Sequence, residues 1–173
     1  AGYLGGWFDF TLMRIIDVLL AFPGILLAIY IAAVLPPSLT NVVLALSATG
    51  WVGYARLVRG QVISVRDLEY VHAARALGYS APRIIARHIL PNTAGPILVH
   101  GSFGLGGAIL GEAALSFLGL GVAPGTPSWG ALLDEGAQYI LVAPHLAIVP
   151  GLAILISVLS FNFLGDGLRD HLD

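Results

Sequence analysis

Four apolar stretches, each near the length a helix needs to cross a lipid bilayer, leave this sequence few ways to fold. They run from Ile15 to Leu35, from Val42 to about Val58, from Ile97 to about Val122 and from Leu146 to Leu164. A membrane-crossing helix takes about 20 mostly apolar residues. The first stretch carries Asp17 near its start and Pro23-Gly24 within it. Between the first two lies Pro36-Pro37-Ser38-Leu39-Thr40-Asn41, a polar turn with helix-stop and N-cap signals. Only 10% of the 173 residues are charged and mean hydropathy is +0.88, whereas an average soluble domain is about 25% charged. The expected fold is all-α, a polytopic transmembrane bundle of four spans forming one domain over residues 1–173. Cysteine is absent, which excludes disulfides and thiolate metal sites. The net charge of −2 excludes a strongly basic nucleic-acid binder. The chain opens Ala1-Gly2-Tyr3, with no charged segment ahead of a short apolar run, so no signal peptide is expected and the start reads as a cut through a longer protein.

The basic residues set the expected orientation. There is no Lys, and six of the eight Arg fall in one segment: Arg56, Arg59, Arg66, Arg75, Arg83 and Arg87. Arg14 precedes the first stretch and Arg169 follows the fourth. Cytoplasmic loops carry the Lys/Arg excess, so four alternating spans place all eight, and both ends of the chain, on the cytoplasmic side. Three or five spans would divide them across the membrane. Asp134 and Glu135 then lie outside. Trp7, Phe8, Phe10, Trp51 and Tyr54 are expected as interfacial anchors.

The loop over about 59–95 is too polar to span and too patterned to be a tether. Tyr70, Ala73, Ala74 and Leu77 recur at i, i+3, i+4 and i+7, one apolar helical stripe, with Glu69, His72 and Arg75 on another side. Gly78 is placed to end that helix as a C′ residue. Ser80 can cap a second helix with Pro82 in its first turn and Ile84, Ile85, His88 and Ile89 on one face; Pro91 is expected to end it. Two short amphipathic helices at the cytoplasmic surface fit either a connection lying on the membrane or a docking element for a soluble partner. The pattern does not choose between them.

Tyr70-Val71-His72-Ala73-Ala74-Arg75-Ala76-Leu77-Gly78, followed by Arg87-His88-Ile89-Leu90-Pro91-Asn92, resembles the EAA motif of ABC importer permeases, with its spacing kept. Further segments look like the dipeptide/oligopeptide (and nickel) branch: Gly5-Gly6-Trp7-Phe8-Asp9, Asp17-Val18-Leu19-Leu20-Ala21-Phe22-Pro23, Gly53-Tyr54-Ala55-Arg56-Leu57-Val58-Arg59, the run from Glu112 to Gly121, Pro127-Ser128-Trp129-Gly130, and the run from Asn162 to Asp170. The resemblance implies a MetI-like permease of a bacterial or archaeal inner membrane. Such a chain forms the path for di- or oligopeptides and has no catalytic residue or cofactor of its own. It also implies partners: ATP-binding subunits, a second homologous permease, a periplasmic or lipid-anchored substrate-binding protein and membrane lipid, with no nucleic acid. Tyr70, His72, Ala73, Ala74, Gly78, Leu90 and Pro91 then become positions coupling to the ATPase. The motif's first residue is usually Glu and is His72 here; Glu69, one turn earlier, is a candidate substitute. Permeases of this family usually have six spans, so the expected four imply that the chain is incomplete at its N-terminal end.

Glu112, within the third stretch, and His100, nearer its start, are candidates for the translocation path, since an acid inside a membrane is functional by default. A neighbouring helix could equally satisfy Glu112. Gly104, Gly107 and Gly111 suggest a small-residue packing face, Gly107-xxx-Gly111 above all. The five histidines are scattered, and neither HExxH, Gly-x-Ser-x-Gly nor a Walker A sequence occurs. The rival reading is a proton-coupled secondary transporter that uses Glu112.

Overall fold

The computed structural model describes residues 1–172. Among them there is no strand, as the all-α expectation requires. The elements are α1 (Gly6–Leu20), α2 (Gly24–Val34), α3 (Leu39–Val65), α4 (Glu69–Ala76), α5 (Ala81–Ile84), a π-turn (Ile85–Ile89), α6 (Leu90–Phe117), α7 (Trp129–Gln138) and α8 (His145–Leu172).

Several expected boundaries shift. The first stretch is two helices, not one. The helix breaks at Ala21–Pro23, because Pro23 has no N–H to donate and disfavours helical geometry at the residue before it. Helix α3 is 27 residues long, capped where Ser38 Oγ accepts from the Asn41 N–H at 3.2 Å. It runs past Val58 to Val65 and takes in Arg56 and Arg59. By length and composition, two helices among the described residues suffice to cross a membrane, Ala81–Phe117 and His145–Leu172, or three if the broken pair Gly6–Leu20 and Gly24–Val34 forms one span. By that measure two or three of the four expected spans are met. The segment expected as the second span lies in α3, whose guanidinium groups and small polar residues dilute its apolar content. Nor does Pro91 end a helix. The chain is helical without a break from Ala81 to Phe117, because the turn widens ahead of the proline: the Leu90 N–H donates to the Ile85 carbonyl, five residues back. Asn92 Nδ2 donates to the His88 carbonyl at 2.7 Å, giving a further partner to a carbonyl beside the proline.

The chain falls into two compact units. The first comprises Ala1–Ala21, Trp51–Gly101 and the chain from Gly165 on; the second comprises Phe22–Gly50 and Ser102–Leu164. All eight arginines belong to the first, and the second has neither Arg nor Lys. The chain changes unit four times.

In the first unit Val71, Ala74, Ile84 and Ile89 form a buried cluster, with Tyr3, Val62, Val65, Tyr79 and Ile85 packed on it. Arginines hold its periphery. The Arg59 guanidinium grips Asp9 with two parallel bonds of 2.7 Å, Arg56 reaches Asp17 at 2.8 Å, and Arg66 donates to the Gly2 carbonyl at 2.8 Å. Arg75 donates to the Tyr3 hydroxyl and the Arg66 carbonyl, both at 3.3 Å. Together these tie α1 and the residues before it to α3 and α4.

In the second unit Ala32 of α2, Val42 and Ala45 of α3 and Leu115 of α6 form the core. The glycines decide the close approaches. A methyl on Gly111 would sit 3.0 Å from the Leu46 side chain, and one on Gly106 would sit 3.5 Å from Val158 and 3.6 Å from Asn162 of α8, whereas one on Gly107 would meet nothing within 4 Å. Gly106 thus makes ordinary contact and Gly111 a tight one, and the Gly107-xxx-Gly111 expectation holds only at its second member. Many large apolar side chains face outward, among them Leu44, Leu110 and Ile156, as expected where lipid is the solvent.

Candidate functional site

The first candidate is the surface built by α4 and the turn after it. Helix α4 ends in a Schellman arrangement: the Gly78 N–H donates to the Arg75 carbonyl at 2.9 Å and the Tyr79 N–H to the Ala74 carbonyl at 3.1 Å. Gly78 has a φ of +77°, the left-handed conformation that this position demands and that side chains oppose. The expected C′ role of Gly78 is what the structure shows. The chain then turns into α5, with Pro82 in its first turn and Arg83 stacked 4.3 Å over the Tyr79 ring. Ser80 has extended backbone at the cap position, but its hydroxyl makes no cap bond.

The buried face of α4 is not the expected stripe. Val71 and Ala74 are buried against Ile84 and Ile89, while Tyr70, Ala73 and Leu77 face outward, Leu77 being 72% exposed. The reason is register. Spacing alone admits two overlapping apolar faces on this helix, and the isoleucines supplied by Ile84 and Ile89 select the one through Val71. Glu69 and His72 are also exposed. Of the expected coupling positions, Glu69, Tyr70, His72, Ala73 and Gly78 therefore share one exposed surface. Ala74 lies beneath as an anchor, and Leu90 and Pro91 are exposed farther along the chain.

The second candidate is a cavity of about 570 Å³ in the second unit. Leu39, Val42, Val43 and Leu46 of α3, Ala108, Ile109 and Glu112 of α6, and Trp129 at the start of α7 contribute to its walls. Glu112 is half-buried, and one of its carboxylate oxygens accepts from the buried Ser116 hydroxyl at 2.6 Å. One neutral donor offsets only part of the penalty for a charge in such a setting, which is about 2.5–3.5 kcal/mol at the centre of a membrane helix. His100 belongs to the first unit, where it packs edge-on against Tyr54 with ring centroids 4.6 Å apart.

Helix α7 falls in the Gly- and Pro-rich segment between the third and fourth apolar stretches, where hydropathy gives no sign of a helix. Ser128 Oγ accepts from the Ala131 N–H at 3.1 Å and starts the helix. A methyl on Gly130 would lie 2.5 Å from the Ala113 carbonyl oxygen, and one on Gly136 would lie 2.6 Å from the Leu146 backbone. The signal was present in Pro127-Ser128-Trp129-Gly130, an N-cap with proline before it and an apolar residue after it. The Asp9–Arg59 pair, 50 positions apart, had no local signal. Among the described residues no three His, Cys, Asp or Glu side chains cluster as a metal site would need.

Long apolar helices, an exposed hairpin that keeps the EAA pattern apart from its Glu, and a lone carboxylate in an apolar cavity describe an all-α membrane protein. Over residues 1–173 the chain matches the family described as binding-protein-dependent transport system inner membrane component, and it belongs to that family. It is 49% identical over 171 residues, 99% of its length, to the glutathione transport system permease protein of Shigella dysenteriae serotype 1. It is 50% identical over 173 residues to the dipeptide transport system permease protein of Alkalihalophilus pseudofirmus. These matches cover 56% and 57% of the two relatives, so the chain spans just over half the length of the curated relatives it matches.

Proposed function

We propose that this chain is the greater part of a permease subunit in an ATP-driven importer of di- or oligopeptides. It lines part of the translocation path and passes the motion of a separate ATPase to the membrane helices. One observation carries the reading. The α4 surface has its anchor on the inside, at Val71 and Ala74, and leaves Glu69, Tyr70, His72, Ala73 and Gly78 for something outside the chain. A hairpin serving only as a connection on lipid would keep charge off the outward face that carries Tyr70 and Leu77; here Glu69, Tyr70, His72 and Ala73 share that face, as suits a groove in a protein. The cluster beneath α4 includes Val62 and Val65 of α3 and Ile89 just ahead of α6, so a push on α4 reaches both long helices through packed side chains.

The partners are ATP-binding subunits, a second homologous permease and a substrate-binding protein on the outer side, with the arginine-bearing unit and both ends of the chain toward the cytoplasm. The names of the relatives, for dipeptides in one and glutathione in the other, support a short peptide as cargo. ATP hydrolysis belongs to the partner, and the permease carries no cofactor. Co-purification from membranes tests the reading. The full-length protein is expected to bring down an ATP-binding subunit, and uptake by the reconstituted assembly is expected to be blocked by vanadate. Uptake that ignores vanadate and collapses with a protonophore would replace this reading with the proton-coupled one.

A further inference from the structure

No basic side chain lines the cavity beside Glu112, and the one histidine of its unit is His145, at the start of α8. The residues Phe22–Gly50 and Ser102–Leu164 include neither Arg nor Lys, while they include the carboxylates Glu112, Asp134 and Glu135. Ser116 occupies one oxygen of the Glu112 carboxylate. The rest of the cavity wall is aliphatic, apart from the Trp129 ring, Pro127 and Ser128, and Ser128 is engaged in capping α7. A carboxylate short of donors, an indole and aliphatic walls around about 570 Å³ select a compact ligand with one cationic donor group and an apolar body. The carboxylate supplies charge-assisted hydrogen bonds, the indole face attracts a cation, and the aliphatic wall accepts the body. An anionic group is disfavoured, because no Arg, Lys or His lines the cavity to answer it.

We propose that this cavity binds a primary ammonium group attached to an apolar side chain, Glu112 taking the ammonium, and that during transport it holds the amino-terminal residue of the incoming peptide. The ammonium chemistry follows from the cavity alone. Its assignment to a peptide rests on the permease reading.

The probe is leucinamide, which has the ammonium and an apolar side chain but no carboxylate; its N-acetyl derivative lacks the charge. Binding of radiolabelled leucinamide is measured on the full-length protein in its complete assembly in lipid nanodiscs, together with uptake of a leucine-initiated dipeptide in proteoliposomes. Wild-type protein is expected to bind leucinamide saturably. Glu112→Gln and N-acetylation of the probe should each weaken binding about tenfold or more. Ala108→Phe, which keeps Glu112 and places a ring in the cavity one helical turn away, should abolish it, and this variant decides the matter if Glu112→Gln does not fold. Equal binding by Glu112→Gln, equal binding of N-acetyl-leucinamide, unaltered binding by Ala108→Phe, or no binding by the wild type overturns the site, even where uptake continues. Leucinamide binding that follows this pattern without any peptide uptake keeps the site and removes the peptide-permease reading instead.

Discussion

Replacing Gly130 with alanine tests the packing of the second unit most sharply. The new methyl would sit 2.5 Å from the Ala113 carbonyl oxygen, 2.7 Å from its Cα and 2.7 Å from Ser116 Cβ. Carbon atoms prefer separations of about 3.5–4.0 Å, so α7 must withdraw by roughly 1 Å. Two of the three atoms are backbone within α6, and no rotamer change can relieve them. Overpacking of this kind costs about 1–3 kcal/mol. The helix-forming advantage of alanine over glycine, about 0.5–1 kcal/mol, offsets part of it. The net expectation is a loss of about 1–2 kcal/mol, read as a lowered denaturation midpoint of the purified full-length protein in mild detergent. Gly107→Ala is the matched control, because its methyl meets nothing within 4 Å; it is expected to leave the midpoint unchanged or slightly raised. A Gly130→Ala protein as stable as wild type, or a Gly107→Ala protein that is the less stable of the two, would refute the placement of α7 against α6.

Three further outcomes follow from the first unit. Val71→Ala removes fully buried methyl groups and is expected to cost about 1–3 kcal/mol of stability, whereas Leu77→Ala, on an exposed side chain, should change stability by less than about 0.5 kcal/mol while weakening retention of the ATPase in a pull-down. Gly78→Ala forces a side chain into left-handed backbone and is expected to cost about 1–2 kcal/mol, with a lower unfolding midpoint as the readout. In double-mutant cycles, Asp9→Asn with Arg59→Gln should show a larger coupling than Asp17→Asn with Arg56→Gln. The first pair is doubly bonded and its side chains are 14% and 33% exposed, while the second has a single contact and both partners more than half exposed.

The fold class and the gathering of the arginines were legible in the sequence, because hydropathy and arginine placement act over whole segments. Gly78 was legible too, since a left-handed C′ position has a local residue requirement. The stripe on α4 was misread because Tyr70 and Val71 are adjacent, and only the partners at Ile84 and Ile89 tell which is buried. Pro91 was misread as a stop because a widened turn one residue before it leaves no mark in the sequence. Helix α7 was hidden by its glycines, which look like loop residues until the backbone of α6 is seen to occupy the space a side chain would need. Glu112 stood out by its chemistry, but its cavity is assembled from α3, α6 and α7 and could not be drawn from any one of them.

The central claim is that the α4 surface faces the cell interior and touches a separate ATPase. The chain has no cysteine of its own, so a single cysteine placed at exposed Ala73 in an otherwise cysteine-free full-length protein reports on that surface alone. Expected is no reaction with a membrane-impermeant maleimide in intact cells, full reaction after permeabilisation, and protection from reaction when the ATPase subunit is bound. Labelling of Ala73→Cys in intact cells, or equal labelling with and without the ATPase, would contradict it.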